Sequence, residues 1–231
     1  MRFLGYLIAG AVGATVATLA LDGADWSGLL GSQPVTWLTI RTSGIVAYLL
    51  LSASTVLGLL TSSRILTRWL QPPATLELHR IFSFMSLAAL GVHGGALLLD
   101  QVEPFTVPQV LTPFLSSYRP GAVAMGILSG YISVALTFSF YARAQIKSRI
   151  WRALHFSAFA AFALATVHGV MVGSDSGVAW VQAIYLASGA LVLFLTLMRI
   201  LGGRHVRARR SSSKTQIRSE SDVQLSHKTA I

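Results

Sequence analysis

Four of the six histidines in this chain interrupt stretches that are otherwise apolar. His79 and His93 lie fourteen residues apart in LELHRIFSFMSLAALGVHGG, and His155 and His168 thirteen apart in WRALHFSAFAAFALATVHGV. An ionisable ring inside hydrocarbon is costly and needs a partner, yet no carboxylate stands near the middle of either stretch. A neutral imidazole bound to a metal removes that cost, and histidine is a common axial ligand to haem iron. A lone histidine of this kind is more often a hydrogen-bonded core residue. Four of them in two matched pairs favour ligation. The chain has no cysteine, which excludes thiolate-held iron–sulfur clusters, thiolate-ligated haem, covalently attached haem and disulfides.

The elements that must position these rings are legible from hydropathy. Six apolar stretches, at about 3–21, 36–60, 77–99, 121–141, 153–173 and 178–200, are long enough to span roughly 30 Å of hydrocarbon. Only 11% of residues are charged, about half the usual share in a soluble domain. The expected fold is therefore an all-α integral membrane protein, a six-transmembrane-helix bundle over residues 1–201. All seven prolines fall in the connections, where a missing amide donor does least harm.

Charge sets the expected orientation. Arg2, Arg64, Arg68, Arg80, Arg143, Lys147, Arg149, Arg152 and the tail from Arg199 share one side, while Asp22, Asp25, Asp100, Glu103 and Asp175 mark the other. Both termini are then cytoplasmic in a multi-pass protein of the cell (plasma or inner) membrane. The net charge of +10 follows this loop pattern, and no soluble domain is present to carry nucleic-acid binding. The first stretch also resembles a signal peptide; its length and the even number of spans favour a retained helix. Residues 202–231 read as a disordered basic cytoplasmic tail, with Arg204–Arg210 against anionic lipid headgroups and His205 and His227 solvated. The connection 101–120 is rich in Pro, Phe and Leu, which suits either a lid on the outer interface or a merely hydrophobic loop.

In this topology the third and fifth spans run the same way. His79 and His155 stand near the inner face, and His93 and His168 near the outer one. The spacings correspond to about 21 Å and about 20 Å of rise, enough to set two haem planes at separate depths. The angular fit is uneven. Fourteen residues return to within about 40° of the starting direction, whereas thirteen miss by about 140°. A 3₁₀ stretch, a kink or haems offset around the helix would each reconcile this. Gly94, Gly95 and Gly169 directly follow the outer histidines, admitting either a flat macrocycle or close helix packing.

Of the eighteen basic residues, only Arg41 and Arg119 fall on the outer side. Arg41 lies within the second span, where an unpaired guanidinium is expensive. Its expected partners are haem propionates, which arginine binds bidentately, or an anionic acceptor beside them; otherwise it snorkels to the outer headgroups or pairs with Asp22, Asp25 or Asp175. Arg119 is a weaker candidate for the same role.

These residues resemble the ferric reductase-like transmembrane domain family, which includes ferric reductases, the membrane core of NADPH oxidases and the bacterial haem subunit MsrQ. The resemblance covers about residues 36–200. It rests on RTSGIVAYLLL in the second span, LHR at His79 followed by His93, and WRALH at His155 followed by HG at His168. It implies two b-type haems, with His79 and His155 ligating the inner one and His93 and His168 the outer one. It also places Arg41 close to the outer haem and the electron acceptor. MsrQ-like proteins lack a histidine corresponding to His79, so its presence favours the two-haem branch.

The expected function is transmembrane electron transfer by an oxidoreductase membrane component. The thirty residues after the sixth span are too few for a flavin- or nicotinamide-binding domain, so the donor is expected to be a separate flavoprotein or a quinol. Ferric chelates, dioxygen or an extracytoplasmic protein are the expected acceptors. Two alternatives stay open: an MsrQ-like haem subunit serving an extracytoplasmic reductase, and a metal or proton transporter using the histidines directly.

Overall fold

The computed structural model describes residues 33–63 and 72–201. All regular structure among them is helical: α1 (Gln33–Ser63), α2 (Pro72–Leu97), the short α3 (Val107–Leu111), α4 (Pro120–Ala142), α5 (Ser148–Val172) and α6 (Ala179–Leu201). Each of these except α3 is long and apolar enough to cross a membrane. Those five helices match the second to sixth expected spans. The first expected span at 3–21, Arg64, Arg68 and the tail 202–231 lie outside the described residues.

Local sequence explains the boundaries. Pro72 and Pro73 open α2, and Pro120 opens α4, at the first helical positions where proline loses no intrahelical bond. Within the helices, hydroxyls return to carbonyls one turn back, as in Ser52 to Tyr48 at 2.8 Å and Thr166 to Phe162 at 2.8 Å. Such bonds let a polar side chain enter hydrocarbon without an unmet donor.

Packing organises the bundle as two helix pairs. α1 lies along α2 and α4 along α5, with lighter contacts between α1 and α5 and between α2 and α4. Small residues allow the close approach, and hydroxyls stitch it: Ser86 donates to the Ala47 carbonyl at 3.0 Å and Ser129 to the Ala161 carbonyl at 2.7 Å. Bonds of this type contribute about 0.6 kcal/mol each in a membrane. Tyr48, Leu59, Phe162, Val192 and Leu195 form a buried cluster joining α1, α5 and α6. The Tyr48 hydroxyl inside it meets Ser188 at 2.7 Å and Thr166 at 3.2 Å. Large apolar side chains such as Leu186, Phe138 and Leu193 point outward. Lipid is the solvent that makes such a surface stable.

The connection between α2 and α4 is ordered around α3. The Gln109 side chain accepts from the Thr106 amide at 2.9 Å, the Tyr131 hydroxyl of α4 donates to the Leu111 carbonyl, and Val110 packs over Gly94 of α2. This segment thereby bridges α2 and α4 at one end of the bundle.

Candidate functional site

The fold brings the four intramembrane histidines together in two pairs. The ring centroids of His79 and His155 are 6.0 Å apart, and those of His93 and His168 are 6.4 Å apart. Each pair takes one ring from α2 and one from α5, so the two helices run in the same direction. One pair stands at the basic end of the bundle, with Arg80, Arg143 and Arg152. The other stands at the acidic end, with Asp100 and Asp175.

The separations suit a shared metal ion. Two imidazole nitrogens each about 2 Å from one ion put the ring centroids about 6.3 Å apart. Among the described residues no set of three or more His, Asp or Glu side chains gathers to hold a metal. Each site instead offers two imidazoles, the number that an iron already held by a macrocycle takes.

Three of the four rings are fixed by one device. Nδ1 of His93 lies 2.9 Å from the Ile40 carbonyl, that of His79 2.9 Å from the Ser54 carbonyl, and that of His168 2.8 Å from the Ala122 carbonyl. A carbonyl can only accept, so Nδ1 carries the proton and Nε2 keeps its lone pair for a ligand. In each case the residue four positions after the carbonyl is a glycine: Gly44, Gly58 and Gly126. A Cβ on Gly126 would come within 2.7 Å of the His168 ring, on Gly44 within 3.1 Å of His93, and on Gly58 within 3.5 Å of His79. A side chain at Gly126 would block the ring's approach to the carbonyl, one at Gly44 would crowd it, and one at Gly58 would sit at ordinary contact distance. The Ser54 hydroxyl adds a contact to His79 Nδ1 at 3.0 Å.

His155 is held differently. Its Nδ1 is buried with no hydrogen-bond partner among the described residues. Its ring stacks on Trp151, one turn earlier in α5, at 4.9 Å between centroids and 16° between planes. The Arg143 guanidinium lies 4.7 Å from the centre of the same Trp151 ring.

The unequal spacing along α5 is resolved by direction. α5 is continuous α-helix from Ser148 to Val172 with no 3₁₀ stretch. His168 turns toward α4, where it meets Ala122 and Gly126, whereas His155 meets His79 without touching α4's carbonyls. On α2 the fourteen-residue spacing sends both rings against α1. There the receiving pairs Ile40/Gly44 and Ser54/Gly58 are themselves fourteen residues apart.

A cavity of about 1160 Å³ opens beside the acidic-end pair and reaches His93, His168, Gly94, Gly169 and Tyr185. That volume is somewhat above the roughly 300–1,000 Å³ typical of sites for small molecules and cofactors. Gly169 gives way to the Tyr185 hydroxyl and Gly94 to Val110, so these glycines serve helix packing as well as the cavity wall. Val110 and Leu111 of α3 close part of that wall.

Arg41 stands in the same wall. Its Nε and Nη2 donate to the two carboxylate oxygens of Asp175, and its guanidinium lies 3.8 Å from the centre of the Trp37 ring. Asp175 is thus one of the partners expected from sequence, while Asp22 and Asp25 lie outside the described residues. Arg119 is exposed, donates to the Met171 carbonyl and is not part of the cavity wall. At the other end Arg80 pairs with Glu77 at 3.3 Å.

Sequence reasoning named the four histidines but missed Gly44, Gly58, Gly126 and Trp151. The two glycines of α1 carried a usable signal in their fourteen-residue spacing, and Trp151 in its place four residues before His155. Gly126 carried none, because nothing local says that a ring from α5 will enter beside it. Comparison with family models, curated proteins and solved structures finds no match for this chain.

Proposed function

We propose that this chain is the membrane section of a b-type haem oxidoreductase, moving electrons between the two faces of a cell membrane. The observation that carries the reading is the pairing of four intramembrane imidazoles at two depths, at separations suited to one iron per pair. Bound there, haem supplies a one-electron carrier at each depth.

The residues of the chain supply everything else. His79 with His155, and His93 with His168, would hold the two haem irons. The Ser54, Ile40 and Ala122 carbonyls hold three of the rings in the tautomer that leaves Nε2 free. Apolar helices surround both sites. Arg41, shared with Asp175 in the cavity wall, keeps a guanidinium beside the acidic-end pair that would serve the carboxylates of a haem. In the proposed topology the basic end faces the cytoplasm, where a flavoprotein or a quinol donates. The acidic end faces outward, toward a ferric chelate, dioxygen or an extracytoplasmic partner.

The test is a dithionite-reduced minus oxidised visible spectrum of the purified protein, with a haem count per chain. Two b haems per chain are expected. One haem would point to the MsrQ-like alternative, and a colourless protein that binds none would overturn the reading in favour of a transporter.

A further inference from the structure

The two histidine pairs are not equivalent. At the acidic end both rings donate Nδ1–H to backbone carbonyls, from His93 to Ile40 and from His168 to Ala122. At the basic end only His79 does so, and His155 leans on Trp151 with its Nδ1 unpartnered among the described residues. Trp151 Nε1 is likewise buried without a partner, so Trp151 holds the neighbouring ring by stacking alone.

We propose that Trp151 is the positioning residue of the basic-end site. We further infer that His155 is the weakest of the four ligands, making this site the higher in reduction potential and the more open to exchange. The inference rests on the haem reading above.

Two levers act in the same direction. A hydrogen bond donated from the far nitrogen makes an imidazole a more basic ligand. A more basic ligand stabilises the more highly charged ferric ion and lowers its potential. His155 lacks that bond, so its iron is more easily reduced and more easily released by the ring. The second lever is charge. Arg143 sits over Trp151 at the basic end, and a nearby cation disfavours the ferric form. At the acidic end Arg41 is matched by Asp175 and, among the described residues, Asp100 and Glu103 outnumber the remaining cation Arg119, so no comparable excess of positive charge stands there. Second-shell hydrogen bonds and local charge are recognised controls of haem potential.

The experiment uses the full chain in lipid nanodiscs. It combines an optical redox titration with carbon monoxide addition to the reduced protein. Two reduction waves are expected, and the higher one should survive in His168→Ala, which leaves only the basic-end pair complete. Trp151→Ala should raise the carbon monoxide-binding fraction at that site several-fold and leave the lower wave in place. Trp151→Phe, which keeps a stacking ring, should restore wild-type behaviour. Arg143→Gln removes the cation and should move the higher wave down, which keeps the test sound if Trp151→Ala loses its haem. Loss of the higher wave in His168→Ala would overturn the proposal. So would a two-haem Trp151→Ala protein with wild-type potentials and carbon monoxide binding. A wild-type protein without haem would instead overturn the functional reading on which the proposal stands.

Discussion

The His168 ring occupies the space that a Cβ on Gly126 would need: such an atom would lie 2.7 Å from ring Nδ1 and Cε1. The glycine is what lets the imidazole reach the Ala122 carbonyl one turn earlier on α4. The same relation recurs with more room at Gly44 and His93 and with most room at Gly58 and His79.

This gradation predicts a graded response to alanine. Gly126→Ala should displace the His168 ring and strip one haem, with overpacking costing about 1–3 kcal/mol. Gly44→Ala should weaken the same site less, and Gly58→Ala, at ordinary contact distance, should be close to neutral. Haem per chain across the three variants measures this. Equal retention in Gly126→Ala and Gly58→Ala would show that the glycines do not shape the sites.

Pairing across helices predicts that ligand losses are not additive within a pair. His93→Ala and His168→Ala should each remove the same haem, and the double variant should lose no more than either single. His79→Ala with His168→Ala should lose both. Quantitative spectra of the four singles and the two doubles read this out. A further haem lost in the His93/His168 double variant would contradict the pairing.

The Arg41–Asp175 pair is partly buried, with side-chain exposures of 25% and 12%. Removing one partner leaves a charge stranded near the membrane interior. Asp175→Ala should destabilise by roughly 1–3 kcal/mol, short of the 3–5 kcal/mol seen for fully buried pairs. The Arg41→Ala/Asp175→Ala double variant should recover part of that loss. Thermal denaturation in one detergent gives the coupling, and strictly additive effects would mean that the pair contributes no stability.

Charge in the cavity wall predicts a preference among acceptors, given the proposed electron transfer. Asp100, Glu103 and Asp175 face it with Arg41 as their counter-charge, and a charged cleft focuses its field on approaching ions. Cationic acceptors should re-oxidise the reduced protein faster than anionic ones, on the order of ten-fold at low salt. The gap should narrow as the Debye length falls from about 30 Å at 0.01 M to about 10 Å at 0.1 M. Stopped-flow oxidation checks this, with Asp100→Asn/Glu103→Gln as control. An unchanged rate ratio in that variant would exclude the wall charges as the cause.

Hydrophobicity and spacing along one chain were enough to locate the five described helices long and apolar enough to span, because lipid demands long apolar runs with internally satisfied backbones. They were also enough to set His79 and His155 at one depth and His93 and His168 at another, since rise per residue is a property of a single helix. That two depths on parallel helices become two facing pairs at 6.0 Å and 6.4 Å was an expectation that the packing met. Only the tertiary structure decided what lies on the other side of each ring. The carbonyls of Ile40, Ser54 and Ala122 belong to α1 and α4, and Asp175 reaches Arg41 across 134 positions of sequence. The thirteen-residue mismatch on α5 looked like a defect along one helix. It is resolved by a second neighbour, because His168 turns to α4 while His155 stays with Trp151. Contacts between helices depend on which faces meet. Apolar faces that all suit lipid equally carry little sequence signal of that choice.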